Sequence, residues 1–259
     1  TIACAMEMYS KGILSEEQIG RSLPFGDADG MIAMIRAAAH RQGFGDEIAQ
    51  GSWRLASKYG HPELSITAKK LEFPSYDARG LKGMGLLYAT SNIGASHMAG
   101  DTAYTELFGV GQKVDGLSYE GKAQLTKHFQ DIFAIIDAAG LCVFVAVRYT
   151  LDTANGYVPT RIAEMINHAT GSDYTPESLL EAAERVYNLE RIFLTKAGFT
   201  RADDTLAQRM SEPMPAGPIQ GETFELDHLL DDYYAARGWD AGGIPTRQRL
   251  EKLGVAHYV

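Results

Sequence analysis

Residues 119–139, YEGKAQLTKHFQDIFAIIDAA, contain the clearest structural signal in this sequence. Five apolar residues in it follow the i, i+3, i+4, i+7 spacing that places side chains on one face of an α-helix: Leu125, Phe129, Ile132, Phe133 and Ile136. Gly140 follows, at the position where a residue in a left-handed conformation commonly ends a helix. We therefore predict a long helix with one buried face.

Helical patterns also occur on both sides of this segment, whereas strand patterns are scarce. Thr175 followed by Pro176 is the pattern of an N-cap and first helical residue. Residues 46–59 predict one further helix, and residues 143–147 form an apolar run too short to be assigned to a helix or a strand. The fold class that we predict is all-α.

The helical periodicity is lost between residues 72 and 80, where Pro74 and Gly80 stand among polar turn formers. This break is the best candidate for a domain boundary. We expect residues 1–65 to belong to one helical domain and residues 66–259 to a second.

The composition excludes several classes of function. With a net charge of −9, the chain has no cluster of Lys and Arg of the kind that nonspecific nucleic-acid binding requires. Its longest apolar run, residues 141–147, is far shorter than the roughly 20 residues of a membrane-spanning helix. Cys4 and Cys142 are the two cysteines, so a disulfide framework is excluded. We expect a cytoplasmic protein with neither a nucleic-acid nor a membrane partner.

The beginning of the sequence has the pattern of a helix interior. Residues 1–9, TIACAMEMY, show helical spacing without a preceding cap, and no basic segment followed by a signal-like apolar stretch is present. We expect that the sequence begins inside a longer protein.

Two short segments contain residues that could carry chemistry. His97 lies in a glycine-bounded loop, residues 92–100, where an imidazole could transfer protons near neutral pH. Residues 137–142, DAAGLC, would present a carboxylate, backbone amides and a thiol at one bend after the long helix. Simpler interpretations remain for both: a loop histidine with one hydrogen bond, and a cysteine buried as a small apolar residue.

These segments also carry a family resemblance. Residues 76–97, YDARGLKGMGLLYATSNIGASH, resemble the signature of the tungsten-containing aldehyde:ferredoxin oxidoreductase family, and residues 137–142 are similar to its second pterin-binding motif. Four stretches near the end also resemble its carboxy-terminal domain: residues 188–191, 203–204, 233–240 and 245–254. The resemblance covers essentially the whole chain and implies the family's domains 2 and 3 only, which are two helical domains.

The resemblance implies roles for particular residues. Cys142 would bind a four-iron four-sulfur cluster as a thiolate, the usual ligand of cluster iron. Asp137 would form hydrogen bonds with the pterin rings, which Gly140 and Leu141 would approach through their backbone. His97 would be the catalytic residue beside tungsten held by two pterins, a tungsten bis-pterin or tungstopterin centre.

The implied reaction is the oxidation of a small aldehyde to a carboxylic acid, with two electrons passing one at a time through one 4Fe-4S cluster to ferredoxin. Met84, Leu87 and Tyr88 are candidates for an apolar lining that selects the aldehyde. In the family, the other three cluster cysteines and the first pterin motif precede the segment that resembles this chain. A homodimer is compatible with the resemblance.

The sequence departs from the family pattern at the loop around His97. Ile93 and Ser96 stand where relatives often carry Arg and Cys, and the expected basic residue after His97 is missing, so the aldehyde is left unspecified. Two alternative functions remain. One is the tungsten subunit of a benzoyl-CoA-reductase-type enzyme, and the other is a cofactor-free helical interaction module.

Overall fold

A computed structural model describes residues 1–152 and 156–258 of the chain. Within these residues it contains thirteen α-helices: α1 (Ile2–Ser10), α2 (Glu16–Ile19), α3 (Ala28–Ala39), α4 (Phe44–Ile48), α5 (Ser52–Lys58), α6 (Lys82–Thr90), α7 (Ala103–Glu106), α8 (Lys122–Ala138), α9 (Val143–Thr150), α10 (Thr160–Thr170), α11 (Pro176–Lys196), α12 (Asp227–Arg237) and α13 (Arg247–Lys252).

The strands are confined to two short antiparallel pairs in the described part of the chain. β1 (Thr67–Ala68) pairs with β2 (Leu71–Glu72), and β3 (Leu151–Asp152) pairs with β4 (Gly156–Tyr157). Five 3-10 helices complete the regular structure of residues 1–152 and 156–258: Pro62–Leu64, His97–Ala99, Arg201–Asp203, Gln208–Ser211 and Ala256–Tyr258. The all-α prediction is confirmed.

Helix α8 is the central element, and it packs against α6, α9, α11 and α12. The predicted apolar face is confirmed: Phe129, Ile132, Phe133 and Ile136 are buried, and Leu125 packs against the same cluster. The helix ends as predicted, with Gly140 at φ 67 and the N–H of Leu141 donating to the carbonyl oxygen of Ile136 at 3.0 Å. The segment that follows α8 is therefore turned sharply away from the helix axis.

The prediction of a single helix over residues 46–59 is wrong. The structure has α4 and α5 in its place, because Gly51 between them adopts φ 92, a conformation that interrupts the helix. The Glu72 carboxylate accepts a hydrogen bond from the N–H of Ser52 at 2.7 Å, which supports the start of α5 from the β1–β2 hairpin. A contact distant in sequence therefore supports the second helix start.

One hydrophobic cluster is built entirely from residues before position 65. Its buried members are Ala5, Met6, Met8, Leu14, Ile19, Leu23, Met34, Phe44, Ile48, Leu55, Ala56 and Leu64. An ion pair between Arg209 and Glu7, 2.6 Å long, joins this part of the chain to the remainder. The predicted division at residue 65 is compatible with this cluster and stays a prediction.

Buried ion pairs and hydrogen bonds hold the carboxy-terminal segments together. Arg191 of α11 makes a two-pronged contact with Asp204, at 3.0 and 2.6 Å, and the Tyr234 hydroxyl donates to the same carboxylate at 2.6 Å. Lys69 of the hairpin forms a further ion pair with Asp204 at 2.8 Å. Because these charges are buried, each depends on its partners for the solvation that water no longer provides.

A second buried pair fixes α12 on α8. Arg237 donates to Asp131 at 2.5 Å and to the side chain of Gln130 at 2.8 Å, while Tyr233 donates to the same Gln130 oxygen at 2.6 Å. The stretches quoted from the end of the sequence thus act mainly as structural connections.

No helix in the described residues has the length and apolar character needed to cross a membrane.

Replacement of Asp204 tests this network. We expect Asp204→Ala to lower the free energy of unfolding by about 3–5 kcal/mol, because it leaves Arg191 and Lys69 buried without their counter-charge. Urea unfolding followed by circular dichroism measures the change. Asp231→Ala is the matched control, since Asp231 pairs with Arg201 while its side chain is 70% exposed, and we expect at most about 1 kcal/mol. Equal effects of the two substitutions would contradict this account.

Candidate functional site

A buried carboxylate connects the two motif-bearing helices. Glu106 accepts hydrogen bonds from the backbone N–H groups of Gly83 at 2.9 Å and Met84 at 3.2 Å, which are in the first turn of α6. It also accepts one from the Thr102 hydroxyl at 2.7 Å and forms an ion pair with Lys122 at 2.5 Å. Since Lys122 is the first residue of α8, the beginnings of α6 and α8 are held at one point.

The glycines of the first motif serve protein packing. A Cβ atom on Gly83 would lie 2.8 Å from a carboxylate oxygen of Glu106, and one on Gly85 would lie 2.2 Å from a ring carbon of Phe224. Their small size therefore allows close approach of protein groups. The prediction that Met84, Leu87 and Tyr88 line an aldehyde pocket is wrong for this structure. All three side chains are fully buried in a hydrophobic cluster.

The loop that carries His97 packs directly against α8. Gly100, at the end of this loop, has φ 133, and a Cβ atom there would lie 3.0 Å from the backbone nitrogen of Gln130 in α8. His97 is half-buried and begins a 3-10 helix in which the Ser96 hydroxyl accepts a hydrogen bond from the N–H of Met98. Its ring lies edge-on to Tyr76, with 6.1 Å between the ring centroids.

A buried carboxyl group stands near this pair. Asp101 is 6% exposed, and burial, opposed in part by a hydrogen bond from the N–H of Ala103, raises its pKa to about 6. Burial also raises the pKa of Tyr76 and of Tyr104, and the nearby charge of Asp101 raises both further. Tyr76 is thus in ring contact with His97 and within the electrostatic influence of Asp101.

The end of α8 faces the loop of the first motif across a cavity of about 310 Å³, whose lining includes Asn92, Ile93, Ala99 and Asp137. Asp137 is exposed as a residue, but the part of its carboxyl group that is shielded from water has its pKa raised by this desolvation. The side-chain oxygen of Asn92 is buried and has no hydrogen-bond partner in the structure as described. Segments about forty residues apart in sequence therefore contribute polar groups to one cavity.

Cys142 lies at the N-cap position of α9 and is exposed, whereas Cys4 is half-buried. The interpretation of Cys142 as a buried apolar residue is therefore wrong. Residues 143–147, which the sequence left unassigned, are helical, and this helix has no side-chain cap. The N–H groups of Val143 and Phe144 have no acceptor among the described residues. Free N–H groups at a helix start stabilise negative charge, including that of a thiolate.

The predicted site residues thus fall into two places. Asp137 and three residues of the His97 loop, Asn92, Ile93 and Ala99, line the cavity, whereas His97 is not among its lining residues. Gly140 turns the chain from α8 toward Cys142, and Leu141 lines a separate apolar cavity. Among the described residues, no group of three or more His, Cys, Asp or Glu side chains could hold a metal ion. The Cys142 thiol therefore belongs to no such group within these residues.

Sequence reasoning missed Asp101 and assigned no role to Tyr76. A signal for Asp101 was present, because it directly follows Gly100 in the loop that drew attention to His97. Its burial is a result of tertiary packing, and a sequence pattern does not report which carboxylate such packing desolvates.

Replacement of Asp101 by Asn tests its environment. Because the pKa of the carboxyl group is higher in the folded state than the ordinary value of 3.8, its contribution to stability is present below about pH 4 and is lost as the pH rises through about 6. We expect Asp101→Asn to exceed the wild type in unfolding free energy by about 1–3 kcal/mol at pH 8, with the difference disappearing near pH 4. Urea unfolding at several pH values measures this. The exposed control Asp231→Asn should not show this pattern, and a pH-independent difference for Asp101→Asn would contradict it.

Comparisons with known proteins agree on one family. A sequence model described as "Aldehyde ferredoxin oxidoreductase, domains 2 & 3" matches residues 1–255. The tungsten-containing aldehyde ferredoxin oxidoreductase of Pyrococcus furiosus is 43% identical over 263 aligned positions, which cover 100% of this chain and 42% of that protein. The enzyme of the same description from Thermococcus kodakarensis is 41% identical, with the same coverage.

A solved structure shares the fold. The active-site complex of benzoyl coenzyme A reductase with a dienoyl-CoA matches with a TM-score of 0.71 and 21% identity, over 99% of this chain and 43% of that one. This chain spans about 42% of the length of the curated relatives it matches. On the family match and the sequence identity, the chain belongs to the aldehyde ferredoxin oxidoreductase family and corresponds to its domains 2 and 3.

Proposed function

We propose that the whole protein oxidises aldehydes to carboxylic acids at a tungsten bis-pterin centre and transfers the electrons through a 4Fe-4S cluster to ferredoxin. The observation that carries this proposal is the shared cavity, at which the His97 loop of the first motif meets Asp137 of the second. The names of the relatives support the tungsten and the aldehyde. Two motifs that the fold brings together are expected to act on one bound group.

The residues around the cavity fit a pterin. Pterin rings carry N–H donors, and the exposed carboxylate of Asp137 and the unpartnered side-chain oxygen of Asn92 are acceptors. Gly140 and Leu141 would approach the group with their backbone carbonyl groups, because their N–H groups are bonded to the carbonyl oxygens of Asp137 and Ile136. When bound, the tungsten centre supplies the two-electron oxidation of the aldehyde. The protein supplies binding, orientation and proton transfer.

Cys142 fits a cluster ligand. Its thiol is exposed, and the free N–H groups at the start of α9 would stabilise the negative charge of a thiolate and its cluster. One thiolate is a quarter of the Cys₄ set that a 4Fe-4S cluster uses. The remaining ligands would come from outside residues 1–259, as would the first pterin motif.

His97 would act as the catalytic residue that handles protons. Conversion of an aldehyde and water to a carboxylate releases two electrons and three protons, so the site needs groups that accept protons near neutral pH. The imidazole of His97 can take a proton at a ring nitrogen. Asp101, four residues further along the chain, has a pKa of about 6 and can also hold a proton. Tyr76 lies edge-on to the His97 ring.

Further parts of the proposal concern the whole protein. We place residues 1–65 in the family's second domain and residues 66–259 in its third. We expect a cytoplasmic location and regard a homodimer as the assembly to test by analytical ultracentrifugation.

The full-length protein provides the test of the function. Produced anaerobically with tungstate, it should contain about one tungsten and four iron atoms per chain and should reduce benzyl viologen with small aldehydes. Benzoyl-CoA with a strong reductant is the parallel assay. Turnover in that assay alone would favour the benzoyl-CoA-reductase-type alternative. A protein that binds neither metal would be the cofactor-free helical module.

The two cysteines offer a matched comparison for the cluster. In the full-length protein, Cys142→Ser should abolish or strongly perturb the electron paramagnetic resonance signal of the reduced cluster and lower the iron content, because an oxygen ligand replaces the thiolate. Cys4→Ser should leave both unchanged, since Cys4 is half-buried and its thiol contacts the carbonyl oxygen of Leu64. An unchanged spectrum for Cys142→Ser would overturn its assignment as a ligand.

For His97, we expect His97→Gln to lower kcat by about 10²–10⁴-fold, the usual contribution of a general acid or base. It should also remove one limb of the pH profile of kcat/KM while tungsten and iron contents stay normal. His168→Gln is the control, because His168 is exposed on α10. A variant with an unchanged pH profile would show that His97 does not transfer the proton.

A further inference from the structure

A cleft lined by two arginines lies between α9, whose N-cap residue is Cys142, and α10. Its volume is about 730 Å³, and its lining includes Arg148, Tyr149, Leu151, Val158, Thr160, Arg161 and Glu164. Both arginine side chains are exposed, and neither forms an ion pair with another residue in the described ranges. Neither charge is therefore neutralised by an ion pair within those ranges.

The cleft is more basic than the chain as a whole, because its named lining has two arginines and one acidic residue. The chain carries 33 acidic and 24 basic residues. A third exposed cation, Lys113, lies in the loop that adjoins the cleft, since a Cβ atom on the nearby Gly111 would be 3.1 Å from Leu151. Glu164 is the acidic residue among those named in the lining. A local excess of positive charge is what an acidic partner would need in order to approach.

The outward face of α9 continues the same surface with apolar side chains. Its exposed members follow the helical spacing i, i+1, i+4, i+5: Phe144 (77%), Val145 (58%), Arg148 and Tyr149 (41%). The opposite face, Val143, Ala146, Val147 and Thr150, is buried in the core. A contiguous exposed apolar patch bordered by charges is typical of an interaction site.

We propose that the α9–α10 surface, defined by Phe144, Arg148, Tyr149 and Arg161, is the docking site of the ferredoxin. This inference rests on the proposed function. Ferredoxins are small acidic iron–sulfur proteins, so their charge is complementary to the two arginines. Arg148 follows Cys142 by six residues of helix, about 9 Å along its axis, so a ferredoxin docked there would lie close to the proposed cluster ligand.

The chemistry of the reaction agrees with a weak, salt-sensitive contact. One aldehyde and one water yield a carboxylate, three protons and two electrons, and each oxidised ferredoxin accepts one electron. Two ferredoxins must therefore bind and leave in each turnover. Electron-transfer complexes are small, with less than about 1,200 Å² of buried surface, and charge complementarity mainly increases their association rate. An exposed pair of arginines beside a small apolar patch suits such a partner.

Charge reversal in the full-length holoenzyme tests the proposal. We expect Arg148→Glu combined with Arg161→Glu to raise the KM for ferredoxin about tenfold or more at low salt and to flatten its dependence on ionic strength. The variant with Lys at both positions should stay near the wild type, because it retains the charges. Arg36→Glu combined with Arg54→Glu is the control, since both residues are exposed and lie on α3 and α5.

Two further measurements separate this inference from the proposed function. Viologen-coupled aldehyde oxidation by each preparation reports catalysis without docking. If viologen-coupled oxidation is present and the Arg148→Glu, Arg161→Glu variant keeps the wild-type KM for ferredoxin, the proposed docking site is wrong while the proposed function stands. That result is expected if other parts of the protein cover this surface.

If aldehyde oxidation is absent in the wild type, the proposed function fails. Direct binding of ferredoxin to the immobilised protein then decides: binding that charge reversal weakens supports the site, and unaffected or absent binding overturns it.

Discussion

The buried ion pair between Glu106 and Lys122 is the contact on which the arrangement of the candidate site depends. The carboxylate accepts hydrogen bonds from the first turn of α6, where the helix dipole favours negative charge, and it neutralises the lysine that begins α8. Neither side chain is exposed to solvent. Each charge would be costly if it lost the other, so α6 and α8 are constrained to start from the same point. The His97 loop after α6 and Asp137 in the last turn of α8 are therefore carried by two helices whose first turns are fixed to each other.

The carboxy-terminal segments stabilise the same framework from the other side. α12 is joined to α8 by Arg237 and Asp131, and α11 is joined to the hairpin by the shared carboxylate of Asp204. Gln130, which accepts hydrogen bonds from Arg237 and Tyr233, also lines the cavity, so this network forms part of the cavity wall. Buried, mutually neutralised charges make the framework rigid, and exposed or unpartnered polar groups lie at the proposed site.

Exposure distinguishes the functional candidates from residues that only resemble a motif. The first motif is long, yet much of it is interior: Gly83 and Gly85 accommodate neighbouring side chains, and Met84 and Leu87 fill the core. Its chemically available part is the loop that leads to His97. In the second motif the relation is reversed, because Asp137 and Cys142 both reach the surface. The aldehyde would accordingly be selected by groups other than the apolar residues of α6.

The sequence by itself determined the all-α class, the central helix and its end at Gly140, because these depend on local periodicity and on the backbone freedom of glycine. It also carried both motifs, since their residues are consecutive. Only the tertiary structure decided that α4 and α5 are separate, that Asp101 is buried and that Cys142 is exposed at a helix start. Each of these depends on contacts or solvent access set by elements distant in sequence, and a local pattern does not contain that information.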